Sequence, residues 1–142
     1  MKLRTTLIFI LLISLLWIAA CVPSAGVKAV AVSCDDFSAQ PNLTKQLTVV
    51  AGDSFTVTLC SNATTGYQWS ESAQISDTTV VQQLSHETVA PKDTGLVGAP
   101  GAEVWTFKAL KKGTSNITMG YSRPWEGGEK NTWTFTLNVT VN

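Results

Sequence analysis

The chain has 142 residues, 44% hydrophobic and 14% charged, with ten basic residues against ten acidic ones. This length suits a single domain once an export segment is removed. The Lys and Arg residues form no cluster, which excludes a nucleic-acid partner and a polybasic patch for anionic membranes.

Lys2 and Arg4 precede an apolar run from Leu7 to Ile18, broken only by Ser14. A run of about 12 residues falls short of the roughly 20 that cross a bilayer as a helix. Small residues follow, so residues 1–20 read as a signal peptide. Without them the chain keeps eight basic and ten acidic residues, a net charge of −2. Ile18-Ala19-Ala20-Cys21 resembles a bacterial lipobox, which implies a diacylated Cys21 as the new first residue. The alternative is an ordinary cleavage site with an incidental cysteine. Two or three acyl chains would anchor the chain stably where one would not. Val22 after the cysteine, in place of Asp, implies by the same resemblance an outer-membrane or cell-surface location.

Cys34 and Cys60 remain. In an exported chain they are expected to pair as a disulfide, two free buried thiols being the alternative. The loop so closed holds about 27 residues and contributes roughly 3.5 kcal/mol on the chain-entropy argument. Residues 22–40 are small and rich in Val, Ala and Ser. Segment 21–42 therefore reads as a tether, and 43–142 as the folded domain.

From Leu43 onward the main signal is period-two alternation. Trp133, Phe135, Leu137, Val139 and Val141 share one face, and Thr132, Thr134, Thr136, Asn138 and Thr140 the other. Phe55, Val57 and Leu59, then Trp105, Phe107 and Ala109, then Ile117, Met119 and Tyr121 repeat the pattern. Segments near 46–50, 67–72 and 79–89 bring the count to about seven strands, with turns at Ala51-Gly52-Asp53 and Lys111-Lys112-Gly113. The fold class is all-β, an immunoglobulin-like sandwich, with a barrel as runner-up. Trp69, Trp105 and Trp133 lie in strand patterns and belong to the core. Asn42, Asn62, Asn116 and Asn138 begin glycosylation triplets, which Asn/Thr-rich strands produce by chance.

Three stretches break the alternation: 61–67, 91–103 and 123–128. They follow the second, fourth and sixth strands, so a seven-strand sandwich carries all three at one end. Their motifs are Asn62-Ala63-Thr64-Thr65-Gly66, Gly98-Ala99-Pro100-Gly101 and Arg123-Pro124-Trp125. They resemble, in order and spacing, the Asn-Pro-Thr-Thr-Gly, Gly-x-Gly-Gly and Arg-Pro-Trp loops of chagasin-like inhibitors of cysteine peptidases. Ala63 stands where that family has proline, and Pro100 where it has glycine.

The resemblance implies a reversible inhibitor of papain-like cysteine proteases whose three loops occlude the active-site cleft. Asn62 to Gly66 with Tyr67 would cross the catalytic cysteine, Thr64 and Thr65 stiff at χ1 and Gly66 allowing close backbone approach. Gly98, Ala99, Pro100 and Gly101 would add backbone contacts. Trp125 would pack on aromatic residues beside the active site as a hot-spot anchor, flanked by Arg123 and Pro124. No cofactor or metal is expected, and the chain is expected to act as a monomer. A hydrolase is a poor alternative, because His86 is the only histidine and its strand neighbours Ser85 and Glu87 point to the opposite face. A carbohydrate-binding or adhesion module is the competing reading, since Trp125 could stack on a sugar ring and fold does not decide function.

Overall fold

A computed structural model describes residues 27–91 and 98–142. The expected signal peptide and Cys21 lie outside the described residues. Among these residues, nine strands and one short α-helix follow in order, besides a single 3₁₀ turn at Ala63–Thr65: β1 (Lys28–Val32), α1 (Cys34–Ala39), β2 (Asn42–Val49), β3 (Ser54–Ser61), β4 (Gln68–Trp69), β5 (Gln74–Ile75), β6 (Val81–Val89), β7 (Gly101–Ala109), β8 (Gly113–Ser122) and β9 (Trp133–Val141). One sheet runs β1-β3-β7-β6; the other runs β2-β9-β8-β4, with β5 also on β8. The all-β sandwich expected from the alternation is what forms. Period-two strands each turn one face inward, and these faces meet as the core.

Register decides which apolar residues meet. Phe55 pairs with Phe107 and Val57 with Trp105 across β3 and β7, while Met119 pairs with Phe135 and Ile117 with Leu137 across β8 and β9. All eight are buried. Trp69 and Trp105 are fully buried as expected, whereas Trp133 is half-buried and packs at the margin of the core. The segment near 67–72 forms only the two residues of β4, and β5 is a further short strand beyond it.

The tether expected over 21–42 is corrected from Lys28 onward. Lys28 to Val32 form a parallel strand against Phe55 to Leu59 of β3, and Asn42 to Val49 run parallel to β9. Between them, Ser33 caps α1: its hydroxyl accepts from the Asp36 N–H while Asp36 reaches back to the Ser33 N–H. This reciprocal cap satisfies two of the amides that a helix start leaves unpaired. It also holds the Asp36 carboxyl below its ordinary pKa, first through the Ser33 side chain and then through the Ser33 backbone. Phe37 is completely buried, between Trp69 and Trp133 with ring centroids 5.1 Å from each. Burial of such a side chain stabilises by roughly 1.5–3 kcal/mol, so this segment is part of the domain. The expected Cys34–Cys60 disulfide is formed and ties α1 to the end of β3.

Strand directions sort the connections into two ends. β1, β3, β6 and β8 run toward one end, and β2, β7 and β9 run away from it. Residues 62–67, 98–100 and 123–132 therefore gather at one end. The 50–53 and 110–112 turns, Val27 and the C-terminus lie at the other.

Candidate functional site

The first loop is organised by Asn62. Its side-chain oxygen accepts from the Thr64 N–H (3.2 Å) and the Thr64 hydroxyl (2.6 Å), and its carbonyl accepts from the Thr65 hydroxyl at 2.6 Å. Ala63–Thr65 thus form one turn of 3₁₀ helix, which Gly66 ends at φ 78° in the left-handed region. Glycine enters that region without the Cβ clash other residues suffer. Beneath the turn, the Asn62 N–H donates to the Tyr121 hydroxyl at 2.9 Å, so a buried residue of β8 fixes where the loop begins.

Asn62 also joins the second loop to the first: its Nδ2 donates to the Gly98 carbonyl at 3.0 Å. Gly98 lies at φ 85°, and Ala99 and Pro100 complete the turn into β7. Residues 92–97 of this loop lie outside the described residues. The loop boundary expected at Glu103 is corrected. Gly101 is the first residue of β7 and pairs with Ser61. A Cβ on Gly101 would stand 2.4 Å from the Val89 carbonyl oxygen, so this glycine admits the neighbouring strand and does not shape the loop tip.

The third loop is held by charge and by stacking. The Arg123 guanidinium lies 4.5 Å from the centroid of the Tyr67 ring and 5.8 Å from that of Trp125. Cation–π contact of this kind contributes roughly 0.5–1 kcal/mol at exposed sites. The Tyr67 hydroxyl donates to the Glu129 carboxylate. Lys130 Nζ donates to the carbonyls of Arg123 at 2.5 Å and Trp125 at 3.1 Å, so one ammonium ties both ends of the Arg123-Pro124-Trp125 motif. Trp125 remains 52% exposed, and its six-membered ring covers Gly66.

Below the loops the aromatic rings form one row. Phe37 stacks on Trp133 (5.1 Å), Trp133 on Tyr121 (4.9 Å) and Tyr121 on Tyr67 (5.4 Å), before Arg123 caps the row. Offset stacking of this kind contributes roughly 0.5–1.5 kcal/mol per pair beyond burial. The row runs from the disulfide-tethered helix to the third loop.

The structure thus brings together Asn62, Ala63, Thr64, Thr65, Gly66, Tyr67, Gly98, Ala99, Pro100, Arg123, Pro124 and Trp125, and sets Gly101 into a strand. Sequence reasoning missed Tyr121, Glu129, Lys130 and Phe37 as supports. Glu129 and Lys130 read as ordinary solvated loop charges; only Ser33-x-x-Asp36 carried a signal, that of a capped helix start.

Residues 48–139 match the model of the chagasin family of peptidase inhibitors, family I42. The chain belongs to this family. It is 36% identical over 91 residues to Amoebiasin-2 of Entamoeba histolytica, spanning 63% of this chain and 71% of that protein. It is 30% identical over 97 residues to Chagasin of Trypanosoma cruzi, spanning 68% of this chain and 88% of its relative. Its fold is similar to the crystal structure of a cysteine protease inhibitor from Entamoeba histolytica, with a TM-score of 0.62 and 25% identity over 82% of this chain and 98% of that one. The span matching the chagasin family holds all three loops; β1 and α1 lie before it.

Proposed function

We propose that this chagasin-family chain inhibits papain-like cysteine proteases reversibly, with three loops at one end of the sandwich occluding the active-site cleft. The observation that carries this reading is the bonding of the loops to one another before any partner arrives, through Asn62–Gly98 and the packing of Trp125 on Gly66. Loops ordered in advance lose less entropy on binding. The first loop places Thr65 and Gly66 at the catalytic thiol, and Trp125 anchors beside it. Ser61, His86 and Glu103 supply no hydrolytic machinery: the Ser61 hydroxyl donates to Glu103 at 2.7 Å and His86 Nε2 bonds the other carboxylate oxygen at 2.8 Å. A histidine on the far side of the carboxylate is not placed to activate that hydroxyl. Residues 22–142 are expected to suppress papain activity and to remain intact; cleavage between Thr64 and Gly66 with return of activity would mean a substrate instead.

The same reading takes Cys21 as lipidated and the domain as a monomer held at the envelope surface. Val27 lies at the end away from the loops, and the six residues from Val22 to Val27 reach at most roughly 20 Å. An anchor there keeps the domain close to the membrane with its loops facing outward. The bulge between Gln83 and Ser85 on the edge strand β6 favours the monomer, because bulges discourage edge-to-edge pairing. Mass spectrometry of the membrane fraction should find a diacylglyceryl group on Cys21, lost in Cys21→Ser.

A further inference from the structure

The first loop crosses the sandwich. It leaves from Ser61, the last residue of β3 in one sheet, and lands on β4, the Gln68–Trp69 pair at the edge of the other. Packed sheets meet through side chains and share no ladder of backbone bonds, so strand pairing does not fix the spacing of the two feet of this loop. Glu103 supplies that link from a third strand. Its Oε1 accepts from the Ser61 hydroxyl at 2.7 Å and from the Trp69 N–H at 3.2 Å, while Oε2 lies 2.8 Å from His86 Nε2. One carboxylate on β7 thus bonds both feet. The indole N–H of Trp69 reinforces the crossing by donating to the Cys60 carbonyl at 2.9 Å. His86, on the edge strand β6, is held in turn by stacking on Trp105, with ring centroids 4.7 Å apart.

Glu103 is buried, at 4% exposure, and a carboxylate is a costly choice for such a place. Buried ion pairs can often be replaced by apolar residues of similar volume with no loss of stability, so packing alone does not call for one here. What an apolar residue lacks is acceptors aimed at particular donors. We propose that Glu103 is a positioning residue for protease inhibition. It sets the spacing of Ser61 and Trp69, with His86 holding the carboxylate in place, and through them the presentation of Thr64, Thr65 and Gly66. Asn62, which organises the turn through Thr64 and Thr65, follows Ser61 directly, so a shift of that foot carries the turn with it. The inference rests on the reading of the first loop as the segment that meets the catalytic thiol. Glu103 itself lies too deep to meet a partner and acts through the loop.

The test compares wild-type residues 22–142 with Glu103→Gln, Glu103→Leu and Ser61→Ala. Ki against papain is measured well below each melting temperature, and the amide signals of Thr64, Thr65 and Gly66 are followed by NMR. In Glu103→Gln the side-chain oxygen still accepts both bonds and the amide donates to His86 Nε2, so Ki and the signals should stay near wild type. Glu103→Leu leaves the Ser61 hydroxyl and the Trp69 N–H unpaired, and Ki should rise by roughly tenfold or more, with the loop signals shifted. Ser61→Ala frees one foot only and should give a smaller rise in the same direction; it carries the test if Glu103→Leu does not fold. Unchanged Ki in Glu103→Leu, or in Ser61→Ala where it stands in, would overturn the proposal and confine Glu103 to stability. An equal rise in Glu103→Gln and Glu103→Leu would overturn it too, since the bonds to both feet survive in the first. If the wild type does not inhibit papain, the loop reading falls by itself and the amide signals alone decide on Glu103: signals unmoved in Glu103→Leu and Ser61→Ala would overturn its positioning role.

Discussion

Gly66 and Trp125 share one space: a Cβ on Gly66 would stand 2.7 Å from the Cη2 of Trp125. The first and third loops therefore depend on each other through a missing side chain. Gly66→Ala should strain a backbone held at φ 78°, a cost of roughly 1–2 kcal/mol, and also push the indole aside. Inhibition of papain should weaken by at least tenfold, accompanied by a change in Trp fluorescence. Unchanged inhibition would show that the packing of Trp125 on Gly66 has no bearing on binding.

Trp125→Ala should remove an exposed anchor. As a hot spot it contributes about 2 kcal/mol or more, roughly thirtyfold in Kd, and the loss should appear mainly in the off-rate. With the side chain 52% exposed, the melting temperature should barely move. A large fall in melting temperature with inhibition intact would assign Trp125 to folding and not to binding.

Ala63 opens the 3₁₀ turn, where the N–H has no partner within the helix, and Asn62 before it is extended at φ −125° and ψ 90°. Both conditions suit proline at position 63. Ala63→Pro should raise stability by about 0.4–1 kcal/mol and lower Ki by preorganising the loop. Loss of inhibition in this variant would mean that the turn must change shape on binding.

Reducing the Cys34–Cys60 bond should reach the loops through the aromatic row. Its removal should cost about 3.5 kcal/mol on the chain-entropy argument, for a sequence separation of 26. Once α1 loosens, Phe37 no longer supports Trp133 and Tyr121, so Ki should rise when reductant is added. The Cys34→Ala/Cys60→Ala double variant should behave like the reduced protein. A large fall in melting temperature with no change in Ki would confine the bond to stability.

The cap of α1 predicts an acid limit. Asp36 has a lowered pKa in the folded state against an ordinary value of 3.8, so its contribution is fully present above that value. It fades as pH falls through the folded pKa. Asp36→Asn should therefore destabilise at pH 7 and lose its difference from wild type well below pH 3.8. A constant difference down to pH 2 would exclude the carboxylate as the source.

Alternation alone determined the sandwich, because a strand with one apolar face has few ways to bury it. The three loops could be read as well, since Asn, Gly and Pro interrupt that alternation where the chain must turn. β1 and α1 escaped because five and six residues are too few to display a period. Their assignment comes from Phe37, whose burial depends on Trp69 and Trp133 from distant parts of the chain. Gly101 shows the converse. In sequence it resembles a loop glycine; only the approach of the Val89 carbonyl from β6 makes it a strand residue. Supports such as Tyr121 beneath Asn62 and Lys130 across Arg123 and Trp125 arise from register and loop closure. Local sequence specified the long strands and the turns between them, whereas β1, α1 and the contacts that stiffen the loops exist only after the two sheets have brought distant residues together.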